Sequence, residues 1–134
     1  MKIAVCLDDN NGMLFNHRRQ SQDRAVRTRL LSLVRRGRLW MNAYSAEQFA
    51  GQEEHIKVSE QFLEEAGRET WCFVENQDVS PYEERITEIV IYRWNRSYPG
   101  DFFFPLDLKQ WKLESSIEFH GFSHEKLTEE RYVR

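Results

Sequence analysis

The C-terminal part of the chain carries the pattern that most restricts the possible folds. A β-rich run with a single threonine, Glu84–Ile91, precedes Tyr98–Pro105, in which a Pro-Gly turn leads into an Asp-aromatic-Pro segment. Two further runs follow, Trp111–Phe119 and Leu127–Val133, and they are joined across His120-Gly121. Runs of this kind separated by turn residues predict antiparallel strands. We therefore expect a sheet whose last two strands pair with each other.

Strand and helix patterns alternate in the preceding part of the chain. Lys2–Leu7 predicts a buried first strand, and the turn signal at Asp8–Gly12 opens a loop that runs to Gln20. Ser21 is predicted to cap a helix from Gln22 to Arg36, which ends at Gly37. The order predicts an α/β domain with three layers, as a single domain over residues 1–134. The other predicted elements are a strand at Arg38–Asn42, a brief helix from Ala46 to Ala50 capped by Ser45, a helix at Lys57–Ala66, a central strand at Thr70–Val74, a polar loop at Glu75–Pro81 and a strand at Ile86–Trp94.

Length and composition limit the classes to which the protein can belong. A chain of 134 residues supports one domain, which buries roughly two-thirds of its unfolded surface. Hydrophobic residues make up 40% and aromatic residues 13%, which indicates a core rich in large rings and excludes a disordered chain. No apolar run reaches the roughly 20 residues of a membrane helix, and the apolar start is too short for a secretory signal. We therefore expect a cytoplasmic protein without membrane contact. In such a protein Cys6 and Cys72 are expected to be buried free thiols, and the alternative is that they form a disulfide or bind a metal as a pair.

Charge is distributed unevenly, although the net charge is only −3. Eight arginines lie in the segment Arg18–Arg38, which contains a single acid, Asp23. Such a run is typical of surfaces that bind phosphate or nucleic acid, and equally of a solvated helix face. The nucleic-acid signal is weak because no nucleic-acid motif accompanies the run. For a protein partner, the candidate interaction residues are Arg24, Arg27 and Arg35.

The one acid of this segment has two interpretations. At about 100° per residue, Val26, Leu30, Leu33 and Val34 form one apolar stripe of the predicted helix, and Asp23 lies at its N-terminal end. A carboxylate that faces inward can hydrogen-bond an aminopyrimidine-like ring, and partial burial would suit it to proton donation. The alternative is an exposed aspartate in the first turn, where the helix dipole favours negative charge.

Several segments, taken in order, resemble dihydrofolate reductase. Ile3-Ala4-Val5 is similar to the N-terminal strand of that family, Gly12-Met13 to the turn after it, and Asp23 to its catalytic acid, with a one-residue gap in the loop. The Thr-x-Ile pattern at Thr87 is similar to the strand whose threonine is hydrogen-bonded to that acid. Two further segments of the family are matched by Trp40–Phe49 and Gly100–Pro105.

The resemblance implies both a fold and a pocket. The fold would be a dihydrofolate reductase-like mixed sheet with helices on both faces and a C-terminal antiparallel strand pair. The pocket would be of the pterin type, with Asp23 and Thr87 as catalytic or anchoring residues. Its substrate-binding walls would be Met13, Phe49 and Ala4.

Other positions depart from the family pattern. Reductases of this family hold the cofactor pyrophosphate on a glycine pair after the central strand, where only glycine lets the backbone come close. Glu75 and Asn76 stand at that position here, and they disfavour NADPH because an acid repels phosphate. The segment 50–69 looks too short to supply a strand for the adenosine half of the cofactor. Ordinary NADPH-dependent folate reduction is therefore disfavoured.

Other catalytic patterns are weak. The four histidines are scattered, and the pair His120 and His124 falls at a predicted hairpin without further ligands, so no metal site is predicted. No serine or cysteine stands in a nucleophile elbow, and the chain has no P-loop or dinucleotide glycine motif. The aromatic residues of Tyr92–Phe104 belong either to the core or to a partner surface.

Three functions remain open. We favour a binding or interaction protein, an inhibitor among them, that uses a reductase scaffold and contacts its partner through Arg18–Arg38 or Tyr92–Phe104. The second hypothesis is a protein that binds a pterin-like or other small heteroaromatic ligand without turnover. The third is an active NAD(P)H-dependent pterin or folate reductase, with Asp23 as proton donor.

Overall fold

The computed structural model covers residues 1–134 and contains one large and one small sheet. The strands of the large sheet are β1 Lys2–Leu7, β4 Leu39–Met41, β5 Ile56–Val58, β6 Trp71–Phe73, β7 Glu88–Arg93, β9 Lys112–Phe119 and β10 Leu127–Val133. The small sheet consists of β2 Gly12–Phe15, β3 Arg18–Arg19 and β8 Phe102–Phe103. The strand orders are β5-β4-β6-β1-β7-β10-β9 and β3-β2-β8. The predicted mixed α/β architecture is confirmed.

The centre of the large sheet is parallel. β1 lies between β6 and β7, so that Ile3 pairs with Cys72 on one side and with Ile89 on the other. These strands are apolar almost throughout because helices or loops cover both faces of the sheet there. The predicted central strand is thus confirmed at Trp71–Phe73, and its flanking residues are loop.

The C-terminal end of the sheet is antiparallel. β10 pairs with β7 on one side and with β9 on the other, which confirms the predicted terminal pair. The register shifts between Arg131 and Tyr132, which lie opposite Ser115 and Leu113, so that β9 contains one extra residue. Such a β-bulge bends an edge strand and increases its twist.

The small sheet corrects the prediction of a loop from Asp8 to Gln20. β2 and β3 form a hairpin, and β8 pairs with the other edge of β2. The two residues of the hairpin turn, Asn16 and His17, have φ angles of 53° and 63°. A two-residue turn with positive φ matches the twist of the flanking strands, and asparagine tolerates this conformation well.

The helices are shorter than predicted. α1 spans Arg24–Ser32, and its N-cap is Asp23, so the prediction of Ser21 as cap and Arg36 as last residue is wrong. The hydroxyl of Ser32 donates to the carbonyl of Arg29 and competes with continued helical bonding. α2 spans Ala43–Ala46 and is capped by Asn42 rather than Ser45.

The predicted helix Lys57–Ala66 is also wrong. Its first part is β5, which extends the edge of the sheet beside β4, and only Phe62–Glu65 forms a helix, α3. A segment that was expected to be too short for a strand therefore contributes one. This strand is stabilised by backbone hydrogen bonds to the edge of β4, and residue propensities do not include such pairing.

The core lies on both faces of the large sheet. One cluster of 18 buried residues contains the odd-numbered residues of β1 from Ile3 to Leu7, together with residues of α3. A second cluster of 13 contains Ala4 and the buried side of α1. Cys6 and Cys72 are free, as predicted, and burial raises the pKa of the Cys72 thiol to about 12. None of the helices is long and apolar enough to cross a membrane.

Candidate functional site

The candidate site lies where the N-terminus of α1 meets the turn between β9 and β10. The carboxylate of Asp23 caps α1 by accepting the Ala25 N–H at 2.7 Å, and it also accepts the N–H groups of Phe122 and Ser123, each at 2.9 Å. The Ser123 hydroxyl donates to the same carboxylate at 3.2 Å. Asp23 is only 2% exposed. The interpretation of Asp23 as an inward-facing acid is confirmed, and the interpretation as an exposed acid is wrong.

These contacts determine the ionisation of Asp23. Burial alone would raise its pKa, but hydrogen bonds from the Phe122 N–H, the His124 ring and the Ser123 N–H outweigh burial. They hold the pKa of Asp23 well below the ordinary range of an aspartate. The side chain is therefore a carboxylate at neutral pH.

His124 links Asp23 to a serine. Its Nδ1 lies 2.8 Å from Oδ2 of Asp23, and its Nε2 lies 2.8 Å from Oγ of Ser21. A carboxylate can only accept, so the neutral ring carries its proton on Nδ1, and Nε2 accepts the hydroxyl proton of Ser21. The imidazole is stacked on the indole of Trp94, with 4.9 Å between ring centroids. The two hydrogen bonds and the stacking on Trp94 together hold the imidazole ring in one orientation.

Gly121 makes this close approach of the turn to α1 sterically feasible. A Cβ atom at this position would lie 2.7 Å from Oδ2 of Asp23 and 2.7 Å from the carbonyl oxygen of His124. It would also lie 3.0 Å from a methyl group of Leu127. Contacts under 3 Å to a backbone oxygen and to a buried carboxylate leave no room for a side chain.

Thr87 does not join this site. Its hydroxyl donates to the carbonyl oxygen of Met1 at 3.3 Å, at the residue before β7 begins. The β9–β10 turn, by contrast, precedes Thr128, which pairs with Arg93 at the far end of β7. The turn that contacts Asp23 therefore leads into β10 at one end of the six-residue strand β7, and Thr87 lies at the other end. The hydrogen bond between them that the resemblance implied is not formed.

The three implied pocket walls do not surround one cavity. Met13 belongs to the buried cluster on one face of the sheet, whereas Ala4 and Phe49 belong to the cluster on the other face. Ala4 and Phe49 have no exposed surface at all. The space between α1 and the sheet holds the ring of Tyr92, which packs edge-on against Phe119 at 6.3 Å between centroids. Side chains of the chain itself fill this region.

A polar cluster occupies the carboxyl end of β6. Arg19 donates to both carboxylate oxygens of Glu75, from Nε at 3.0 Å and from a terminal nitrogen at 3.2 Å. Gln48 donates to the same carboxylate at 3.1 Å. The neighbouring Asn76 accepts from the Asn42 side chain at 2.8 Å. Glu75 is 7% exposed, so the ion pair that it makes with Arg19 lies mostly out of solvent.

A groove runs beside Asp23, between α1 and the β9–β10 turn, and is here called the arginine-aromatic groove. Its volume is about 480 Å³. The guanidinium of Arg24 lies 4.5 Å from the ring centroid of Phe122, and that of Arg29 lies 4.2 Å from that of Phe119. Its lining residues are Arg24, Ala25, Thr28, Arg29, Phe119, His120, Gly121 and Phe122.

The three predicted interaction residues have different surroundings. Arg24 lines the arginine-aromatic groove, and Arg27 donates to the side-chain oxygen of Gln22 at 3.2 Å. Arg35 follows the end of α1 and lines a different cavity, of about 550 Å³, together with Lys2 and Trp71. The two cavities share Arg29, so Arg24 and Arg35 lie on either side of that residue.

Sequence reasoning missed Ser21 as a partner of His124, and it missed Trp94 and Phe122 as parts of the site. Ser21 and His124 are 103 residues apart, so no local spacing connects them. The only signal was Asp23 itself, an acid on the apolar side of a predicted helix.

Comparison with known proteins gives a match in structure and none in sequence. No protein-family model matches the chain, and no curated protein does. In structure the chain is similar to dihydrofolate reductase from Enterococcus faecalis complexed with NADP(H) and RAB-propyl, with a TM-score of 0.69 and 10% sequence identity. The similarity covers 100% of this chain and 96% of that chain. At this identity the two share a fold, and the chain has a dihydrofolate reductase-like α/β fold.

Proposed function

We propose that this protein is a binding protein on a dihydrofolate reductase-like scaffold, and that its partner is an acidic protein segment carrying an aromatic or aliphatic side chain. The arginine-aromatic groove would be the binding surface. The observation that carries this proposal is the pair Arg24 and Phe122, in which the guanidinium is stacked on an exposed ring and forms no ion pair with a carboxylate.

The chemistry of the groove fits such a partner. Phe122 is 70% exposed, so its ring is available to an apolar side chain of a partner. Arg24 supplies positive charge at the same place, whereas Arg29 is already partly neutralised by Glu129 at 3.8 Å. An acidic residue of the partner would pair with Arg24, and an apolar side chain would cover Phe122. Arginine and aromatic residues are also the types enriched at the centre of protein interfaces.

Ligand binding in a pterin-type pocket is less well supported. The carboxylate of Asp23 already accepts bonds from Ala25, Phe122, Ser123 and His124. An aminopyrimidine would have to displace the β9–β10 turn to reach it. Proton donation is disfavoured too, because a carboxyl with a depressed pKa holds no proton at neutral pH.

The residues at the carboxyl end of β6 do not fit NADPH. The carboxylate of Glu75 lies at the position where the family resemblance places a glycine pair, and its charge would repel a pyrophosphate. Arg19 could attract phosphate, but its guanidinium is engaged with Glu75 through two hydrogen bonds. A cofactor phosphate would have to break this partly buried pair and leave the Glu75 carboxylate without its cation.

A fluorescence anisotropy titration tests the proposal. The probe is a fluorescein-labelled peptide with a tryptophan flanked by glutamates, and the reference is the same peptide with glutamines in place of the glutamates. We expect the acidic peptide to bind at least about tenfold more tightly, a difference of about 1.4 kcal/mol. Binding should weaken as salt rises from about 50 to 300 mM, since exposed charges are screened over about 10 Å at 0.1 M.

Matched variants locate the binding surface. Arg24→Glu and Phe122→Ala should each weaken acidic-peptide binding about tenfold or more, whereas Arg68→Glu, which reverses an exposed charge outside the groove, should leave it unchanged. Equal binding of the two peptides, or equal losses in all three variants, would contradict the proposal. If a labelled DNA duplex binds more tightly than the acidic peptide, the partner of the groove is nucleic acid and the proposal of a protein partner is wrong.

A further inference from the structure

We infer that Ser21, His124 and Asp23 form a hydrolytic site that cleaves small carboxylic esters with Ser21 as nucleophile. This activity goes beyond the binding function proposed for the arginine-aromatic groove. The two can be separated by experiment, because neither Ser21 nor His124 lines that groove.

The geometry of the three side chains is that of a nucleophile, a base and an orienting acid. The two hydrogen bonds, Ser21 to His124 and His124 to Asp23, both measure 2.8 Å and use different nitrogens of the imidazole ring. Asp23 is ionised and holds the proton of the ring on Nδ1, so Nε2 is free to accept from the hydroxyl. A Ser-His-Asp arrangement is recognised by such roles and distances on any fold.

The exposure of the three side chains increases from the orienting acid through the base to the nucleophile. The Asp23 side chain has no exposed surface, and the His124 side chain is 10% exposed and stacked on Trp94. Ser21 is only partly buried and can meet a substrate from solvent. The orienting acid and the base are thus held rigidly, and the nucleophile is accessible, as preorganised catalysis requires.

The reaction follows from these positions. Oγ of Ser21 attacks the ester carbonyl while Nε2 of His124 takes the hydroxyl proton, and the imidazolium is stabilised by the Asp23 carboxylate. The tetrahedral intermediate collapses as the C–O bond to the alcohol breaks and His124 returns the proton to the leaving oxygen. Water, deprotonated by His124, then attacks the acyl-serine and releases the carboxylic acid and the free hydroxyl of Ser21. No oxidant, reductant or metal is needed.

One backbone group can support the oxyanion. The N–H of Gln22, the residue after the nucleophile, makes no hydrogen bond within the chain. In several hydrolases the residue after the nucleophile supplies such a donor. None of the cavities described above is lined by Ser21, so the ester would bind at an open surface, and a small ester is the suitable test substrate.

A covalent probe gives the most direct test. The native protein is incubated with a fluorophosphonate, which modifies serines activated by a neighbouring base, and the modified peptide is identified by mass spectrometry. Hydrolysis of p-nitrophenyl acetate is followed in parallel. We expect modification at Ser21 and a rate that falls at least about 100-fold in Ser21→Ala and His124→Gln. Ser116→Ala, which removes an exposed hydroxyl on β9, should keep both signals.

A second variant separates catalysis from folding. In Ser21→Cys the thiol would lie beside His124, and it should react with iodoacetamide far faster than Cys6 and Cys72, whose pKa values are raised by burial. That reaction should slow in the Ser21→Cys/His124→Gln double variant if His124 acts as a base. A fluorophosphonate that leaves Ser21 unmodified, together with equal ester hydrolysis by native protein and Ser21→Ala, would overturn the inference. The three side chains would then serve only to hold the turn on α1.

Discussion

Replacing Asp23 by asparagine is the most informative single test of how the β9–β10 turn is held. The substitution keeps the shape of the side chain and one oxygen, which can still accept the N–H groups of Ala25 and Phe122. The second oxygen becomes an NH2 group that faces the Ser123 N–H, a donor against a donor. His124 can recover its bond by moving its proton from Nδ1 to Nε2, since the ring then accepts from the new amide.

The expected cost follows from these contacts. A hydrogen bond to a charged group contributes about 1.5–3 kcal/mol, and a buried donor left without a partner costs about 1–3 kcal/mol. Of the five hydrogen bonds to Asp23, the one from the Ser123 N–H is lost outright and the other four lose their charge. The exposed turn can shift to let water reach the Ser123 N–H. We therefore expect Asp23→Asn to lower the free energy of unfolding by about 3 kcal/mol, a large part of the 5–15 kcal/mol typical of a domain.

Urea unfolding followed by tryptophan fluorescence measures this change. The matched control is Asp9→Asn, because Asp9 is exposed and accepts only one long side-chain contact, from Ser97 at 3.5 Å. We expect the control to change stability by less than about 0.5 kcal/mol. A loss below about 1 kcal/mol for Asp23→Asn, or equal losses for the two variants, would refute the reasoning. The carboxylate would then contribute little to holding the turn.

The same contacts predict a pH dependence. The pKa of Asp23 is lowered in the folded state, so its contribution to stability is complete above the unfolded aspartate value of about 3.9 and declines as pH falls below it. Between pH 5 and pH 3 the stability difference between native protein and Asp23→Asn should shrink by about 1 kcal/mol. A difference that stays constant over this interval would contradict an ionised, hydrogen-bonded Asp23.

Two further predictions concern the turn and the cofactor position. Gly121→Ala should lower the free energy of unfolding by about 1–3 kcal/mol in the same urea assay. The new methyl group would lie 2.7 Å from Asp23 and 2.7 Å from the carbonyl oxygen of His124. Unchanged stability would mean that the turn adapts freely. NADPH, with or without methotrexate, should cause no saturable quenching of tryptophan fluorescence, because Glu75, paired with Arg19, stands where the family resemblance implies a phosphate-binding glycine pair. Saturable quenching by NADPH would reopen the reductase hypothesis.

The longer strands of the large sheet could be predicted from sequence because their signal is local, whereas the short strands β2, β3 and β5 were predicted as loop or helix. Lys2–Leu7 and Leu127–Val133 have the bounds expected from their apolar patterns. Helix starts were harder, since Ser21 and Asp23 are both good N-cap residues. The choice between them is made by His124, which takes the Ser21 hydroxyl and leaves Asp23 to cap α1.

The site was only partly predictable for a related reason. The inward orientation of Asp23 follows from the apolar stripe of α1, which the sequence displays. Its partners Phe122, Ser123 and His124 lie 99 to 101 residues away and belong to a turn whose residues look like ordinary loop residues. The resemblance to dihydrofolate reductase predicted the fold, but it also predicted that Thr87 contacts Asp23. Thr87 lies at the other end of β7 and donates to the carbonyl oxygen of Met1. A shared fold does not carry its site with it.

The strand order has a consequence for how the chain reaches its native state. β1 can pair only with β6 and β7, which begin at Trp71 and Glu88. At roughly 5–20 residues per second, a ribosome needs several seconds to make the intervening segment. During that time the apolar run Ile3–Leu7 has no partner, and contacts so distant in sequence form slowly. Lys2 on one side and Asp8-Asp9 on the other place charges at both ends of the run, which should keep it from pairing with other nascent chains.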